Sequence, residues 1–139
     1  MYLSGKYSEF GLLFLRVGFG VLFILHGFPK LFGGPEMWER VGGAMQNLGI
    51  GFAPMFFGFM AAFTEFFGGI LLIFGLYMMP TLILLIITMI VATLHHVVQG
   101  DSFSQIAHPI KAAIAFIALL MTGPGRYSMD QKLKRKRRR

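Results

Sequence analysis

Apolar residues run along this chain in four long blocks, at 10–32, 52–77, 80–98 and 109–122, separated by segments rich in Gly, Pro and polar residues. A helix of ~20 mostly apolar residues crosses the ~30 Å hydrocarbon layer of a membrane while satisfying its own backbone hydrogen bonds. The pattern therefore predicts four spanning helices. The first is too long for a cleaved signal peptide, carries Arg16 within it, and meets Lys30 and Leu31 where small residues would be needed for cleavage, so it is expected to remain in the protein. The fourth is the shortest, about fourteen residues by strict hydropathy, and 103–106 either extends it or lies at the interface. Gly123, Pro124 and Gly125 end it, since glycine accepts a left-handed turn and proline cannot continue the ladder.

Composition fixes the solvent. Of 139 residues, 55% are apolar, more than a water-soluble core of that length can bury. The expected fold is all-α, a transmembrane four-helix bundle running up-down-up-down, with a single domain at 1–131 and a basic tail at 132–139. Cysteine is absent, which removes disulfides, thiolate metal ligation and a thiol relay within this chain. The formal charge of +7 resembles a nucleic-acid signal until it is located: eight of the thirteen Lys and Arg residues lie at or after Arg126. A polybasic segment next to a span most often meets anionic lipid, at about 1 kcal/mol per basic residue near the surface, so membrane lipid and not nucleic acid is the expected partner.

An even number of spans puts both termini on one side. The basic tail, with Lys6, places that side in the cytoplasm of a bacterial or archaeal inner membrane. Loops 33–51 and 99–108 then face outward. In the first, Pro35, Met37, Trp38, Val41 and Met45 recur at near-helical spacing with Glu36, Glu39 and Arg40 between them, which predicts a short interfacial helix with Trp38 at headgroup level.

Ionisable groups at membrane depth are costly and face a partner or a cavity. Arg16 shares an inward stripe with Gly20, Phe23, Gly27 and Lys30, with His26 on its flank, and Glu65 sits in a small-residue stripe with Gly58, Ala61, Ala62, Gly68 and Gly69. At ~1.5 Å per residue, Arg16 lies about 10 Å and Glu65 about 15 to 18 Å from the inner interface, which allows an Arg16–Glu65 pair. That pair would fix helix register or, alternatively, form part of a proton relay or cofactor pocket.

His26 and His95 are expected at similar heights, lining one outer cavity, with Thr88, Ala92, His95 and Gln99 on one helix face and Lys111 nearby; Asp101 and His108 stand in the loop above. Imidazole and ammonium donors there suit a quinone-like or anionic ligand. The plainer alternative is interfacial side chains that only snorkel to headgroups. A bis-histidine haem between His26 and His95 rests on two histidines alone and is not favoured. A zinc site from His95, His96 and His108 is set aside because adjacent helical residues point about 100° apart.

Three fragments carry a resemblance. Leu15-Arg16-Val17-Gly18 running to His26-Gly27-Phe28-Pro29-Lys30-Leu31-Phe32-Gly33, then Glu65-Phe66-Phe67-Gly68-Gly69 with Phe74-Gly75-Leu76, then Gly123-Pro124-Gly125-Arg126-Tyr127-Ser128-Met129-Asp130 resemble in order the signatures of the DoxX family over about residues 10–130. The resemblance implies a four-helix membrane protein linked, in the family's namesake, to a thiosulfate:quinone oxidoreductase. It carries Arg16, His26, Lys30 and Glu65 as motif residues. The family pattern places a carboxylate near the start of the last span where this chain has Lys111, so chemistry depending on that acid is not carried over.

These readings converge on a quinone-linked redox subunit, with Glu65 and His26 as the catalytic candidates and His26, Lys30, His95, Lys111 and Arg16 as the groups that hold a quinone. Any electron-carrying centre would belong to a bound cofactor or to another membrane or redox subunit, or the chain would act as a homo-oligomer. A structural or assembly subunit, packing its glycine faces on a larger complex, is the main alternative; a proton-coupled transporter is a third.

Overall fold

The computed structural model describes residues 5–137. Four long helices alternate in direction as a bundle: α1 (Gly5–Leu31), α3 (Pro54–Phe74), α4 (Met78–Gln99) and α5 (Phe103–Thr122). Each is long and apolar enough to cross a membrane. A short helix α2 (Gly34–Gly42) and a 3₁₀ segment (Gly43–Leu48) fill the first connection, and α6 (Met129–Arg137) follows the last span. No strand occurs among the described residues. The expected spans agree with these helices, and of the two readings of 103–106 the structure takes the extension, the fourth helix beginning at Phe103. Gln105 explains the earlier start: its side-chain oxygen accepts from the Ser102 backbone N–H at 3.1 Å and from Ser102 Oγ at 2.7 Å, a capping arrangement that nucleates the helix before the apolar run begins.

Most large apolar side chains point outward, Phe14, Leu25, Ile114 and Met121 among them. That is the reverse of a water-soluble bundle and is what a hydrocarbon solvent requires. The chain is a multi-pass membrane protein. Inside, Phe116 meets Phe19 and Phe23 edge-on, at 5.4 and 4.9 Å between ring centroids, and packs with Leu72, Leu82, Leu85 and Leu119.

The first and second spans lie backbone against backbone. A Cβ placed on Gly20 would stand 2.7 Å from the Gly69 carbonyl oxygen, and one on Gly69 would stand 2.6 Å from that of Gly20. Lower association energy per side chain is offset by this close approach, because lipid leaves no hydrophobic drive between helices. The short helix α2 uses the same device: a Cβ on Gly42 or Gly58 would overlap the Pro54 or Trp38 carbonyl, so α2 rests directly on the start of α3. Trp38 Nε1 donates to the carbonyls of Lys30 and Leu31 at 3.0 and 3.1 Å, satisfying acceptors that the end of α1 leaves free.

The end of the bundle that carries the termini is clasped by the Gly-rich segment after α5. Arg16, 1% exposed, donates through Nη1 to the Pro124 carbonyl, and Glu9 accepts from the Arg126 N–H. Asp130 reaches across to α4, its two carboxylate oxygens accepting from the N–H groups of Tyr77 at 3.0 Å and Met78 at 2.9 Å. Tyr77 has φ of 49°, a left-handed conformation unfavourable for a bulky residue, and Asp130 holds it there. The Asp130 N–H donates in turn to the Gly75 carbonyl at 3.1 Å. The anticipated Arg16–Glu65 pair does not form. Arg16 turns toward the chain termini, while Glu65 lies level with Gly27 and finds a different cation.

Residues 132–137 of the basic tail continue α6; Arg138 and Arg139, the rest of that expected segment, lie outside the described residues.

Gly69→Val is expected to destabilise the purified protein in mild detergent by about 1–3 kcal/mol through overpacking. Gly18→Val, on a face of α1 with nothing within 4 Å, should stay within about 0.5 kcal/mol of the parent. Equal thermal shifts for the two would contradict backbone packing. Asp130→Ala, leaving two N–H groups without acceptors, should cost about 1–3 kcal/mol in the same assay.

Candidate functional site

Gly27 brings the α1 backbone onto Phe66, where an added Cβ would lie 2.5 Å from the Phe66 nitrogen. One turn on, Lys30 leans over α3. Its Nζ donates to both oxygens of Glu65, at 2.9 and 2.7 Å. Glu65 is 3% exposed, so without this partner a carboxylate there would be a lone buried charge. The Lys30 side chain keeps 33% of its exposure, and what it is exposed to is cavity.

Two chambers flank this ion pair. The larger, about 590 Å³, lies between α2 with its 3₁₀ segment, α3 and α4; Met45, Phe57, Met60 and Ile87 give it apolar walls, and Arg40 and His95 contribute polar groups. The smaller, about 460 Å³, lies between α1, α4 and α5, and brings together His26, His96, His108 and Lys111. Lys30, Glu65 and His96 line both. The pair is therefore a shared wall.

The expectation that His26 and His95 line one cavity is corrected by this arrangement. His95 lines the larger chamber only, where its Nδ1 lies 3.3 Å from Asn47 Nδ2 on the 3₁₀ segment. The residue that joins His26 is His96, about 100° further round α4. His108 joins them because α5 starts early enough to include it, and its ring centroid is 5.8 Å from that of His26. Lys111 lines the same chamber as His26. Arg16 reaches neither chamber and lies in the clasp near the termini.

The hydrogen bonds define tautomers. A carbonyl or carboxylate can only accept, so His26 Nδ1 donates to the Leu22 carbonyl at 3.0 Å, and His96 Nδ1 donates to Asp101 Oδ2 at 2.6 Å. In their neutral forms both rings therefore carry the lone pair on Nε2. His95 is opposite: the Asn47 amide donates to Nδ1, leaving Nε2–H as its donor. Of the imidazoles, His26 thus presents an acceptor to the smaller chamber and His95 a donor to the larger, while His96, an acceptor, borders both. Sequence reasoning placed His108 in the loop above the cavity, weighed His96 only as a zinc ligand, named Arg40 only as a charge on the short helix, and passed over Asn47. The Ser102–Gln105 capping pattern was the available signal for His108; nothing local signals Asn47, which depends on the fold of the 3₁₀ segment against α4.

No group of His, Asp and Glu among the described residues is arranged to hold a metal ion.

Lys30→Met should lower stability by about 3 kcal/mol, the low end for breaking a buried pair because a third of the lysine side chain is exposed. Adding Glu65→Met should recover most of that loss. A double variant no more stable than Lys30→Met, by thermal unfolding in detergent, would show that Glu65 is held by something other than this pair.

A family model described as DoxX matches residues 11–97, from α1 through most of α4. The inner membrane protein YphA of Escherichia coli (strain K12) is 29% identical over 141 aligned positions, covering 91% of this chain and 97% of that protein. An uncharacterized protein of Haemophilus influenzae is 31% identical, covering 94% of this chain and 96% of its own length. CatD of Bacillus subtilis (strain 168), whose name provisionally calls it an oxidoreductase, is 30% identical over 90% of this chain and 88% of its own. No solved structure matches the chain significantly.

Proposed function

The chain belongs to the DoxX family, and from that premise we propose that it is a quinone-linked redox subunit of a bacterial inner membrane, with the larger chamber as its quinone site. The observation that carries this reading is the chamber itself: a cavity of about 590 Å³ with apolar walls, set among the spanning helices, where polar groups converge at Lys30, Glu65 and His95. A few placed polar groups in an apolar pocket are the general form of a small-molecule site. An isoprenoid quinone has the matching division, an apolar body with two carbonyl oxygens at its head. The relative whose name refers to an oxidoreductase supports the same class of activity.

A quinone in this chamber would supply two-electron, two-proton exchange with the membrane pool. His95 Nε2–H and Lys30 Nζ are the donors positioned to hold carbonyl oxygens, and Glu65, buried against Lys30, fixes the ammonium in place. The apolar walls exclude water from the head group. With no cysteine in the chain, electrons would come from a partner subunit. The cluster of basic residues from Arg126 onward supports placing both termini in the cytoplasm, beside anionic lipid, so that the chambers open toward the outer leaflet. The assembly-subunit alternative loses its main support, because Gly20, Gly27, Gly58 and Gly69 are consumed in contacts within the chain.

Trp38 is the one tryptophan and lies on α2, which borders the chamber, so its fluorescence reports on occupancy. Titrating a short-chain ubiquinone analogue into the purified protein should quench Trp38 saturably, and His95→Ala should weaken binding about tenfold, the worth of one hydrogen bond. Linear, unsaturable quenching, unchanged in the His95 variant, would rule the site out.

A further inference from the structure

The smaller chamber differs from the larger in its charge. Glu65 is the only acid that lines it, and both Glu65 oxygens are taken by Lys30. Asp101, outside the lining, engages His96 through Nδ1. Lys111 has no carboxylate within ion-pair distance among the described residues, and no acid stands beside the facing imidazoles of His26 and His108. The chamber thus brings together an ammonium with no ion-pair partner among the described residues and three imidazoles on α1, α4 and α5, of which Lys111, His26 and His108 are exposed. The rest of its surface is apolar, with Phe19, Leu22, Phe23 and Met89. A strongly hydrated inorganic ion would surrender its water against those walls without replacement bonds. An anion carried on an apolar body would not.

We propose that this chamber binds an amphipathic organic anion, a carboxylate or phenolate on an aromatic or aliphatic body, with Lys111 as the counter-charge and His108 as a second donor to its oxygens; His26 and His96, whose Nδ1–H groups already serve Leu22 and Asp101, border the site without donating to the anion. The site is separate from the proposed quinone chamber and meets it across the Lys30–Glu65 wall, Ala92 and His96. Its ligand has two possible sources, a soluble organic acid or a fatty acid delivered by the bilayer, and both present the same carboxylate.

The test uses the full chain in phosphatidylcholine nanodiscs, with no quinone present, so its outcome is independent of the Trp38 titration. Calorimetric titration with benzoate should show saturable binding, while benzamide, the neutral isostere, and inorganic phosphate should each bind at least about tenfold more weakly. Lys111→Met, which keeps the aliphatic stem at an exposed position and should fold normally, is expected to weaken benzoate by about tenfold to a hundredfold; His108→Gln should weaken it less, and Lys6→Met, at the opposite end of the bundle, should leave it unchanged. Oleic acid placed in the discs that displaces benzoate would assign the site to a membrane-borne acid, and absence of competition to a soluble one; either supports the proposal. Equal affinity for benzoate and benzamide, or benzoate affinity unaltered by Lys111→Met, overturns it.

Discussion

Contact between the backbones of α1 and α3 sets the position of everything else in the bundle. With Gly20 on Gly69 and Gly27 on Phe66, the two helices lie closer than any side chain would allow, and the dispersion gained along that seam substitutes for the hydrophobic drive that lipid does not provide. The same closeness brings Lys30 within hydrogen-bonding distance of Glu65. Because the helix pairs α1–α3 and α4–α5 meet mainly through side chains such as Phe23 and Phe116, space remains between them on both sides of the ion pair. The glycine seam is tight, and the chambers are what it leaves open.

The spans were legible because length and apolar character are local properties, and the short helix after α1 was legible from its spacing. What depended on pairing between helices was harder to read. Arg16 and Glu65 occupy facing inward stripes, and depth alone makes them partners; the actual partner of Arg16 is a carbonyl at Pro124, far along the chain and invisible to periodicity. Lys30 lies on the same stripe as Gly27, so its meeting with Glu65 was available in principle once the two small-residue faces were set against each other. His95 and His96 exchanged roles because a rotation of α4 by one residue step decides which ring faces which chamber, and nothing in a helix apolar on most of its faces fixes that rotation before packing does. The glycine-rich closing segment was legible as a helix stop, but what it holds was not. Its physical reason, Asp130 holding Tyr77 and Met78 at the start of α4, is a tertiary contact.

Two chambers of opposite chemical character now share one buried wall. On one side His95 offers a proton, on the other His26 offers a lone pair, and His96 stands between them. Lys30 and Glu65 hold a compensated pair of charges between them, so that a change in either occupant's charge is felt by the same two side chains. In a medium of low dielectric such coupling is stronger than the distances alone would suggest in water. If the two proposed ligands are an apolar one and a charged one, this shared wall keeps them apart while letting each sense the other.

The clasp near the termini bears on biosynthesis. Arg16 leaves the ribosome 108 residues before Pro124, the residue that accepts its hydrogen bond. Through that interval α1 is in the membrane with a guanidinium whose folded partner has not been made, and the side chain must stay near water or lipid phosphate. The contact that seats this guanidinium in the folded bundle can therefore form only once the closing turn has been made, so the first span depends for its final environment on the far end of the chain.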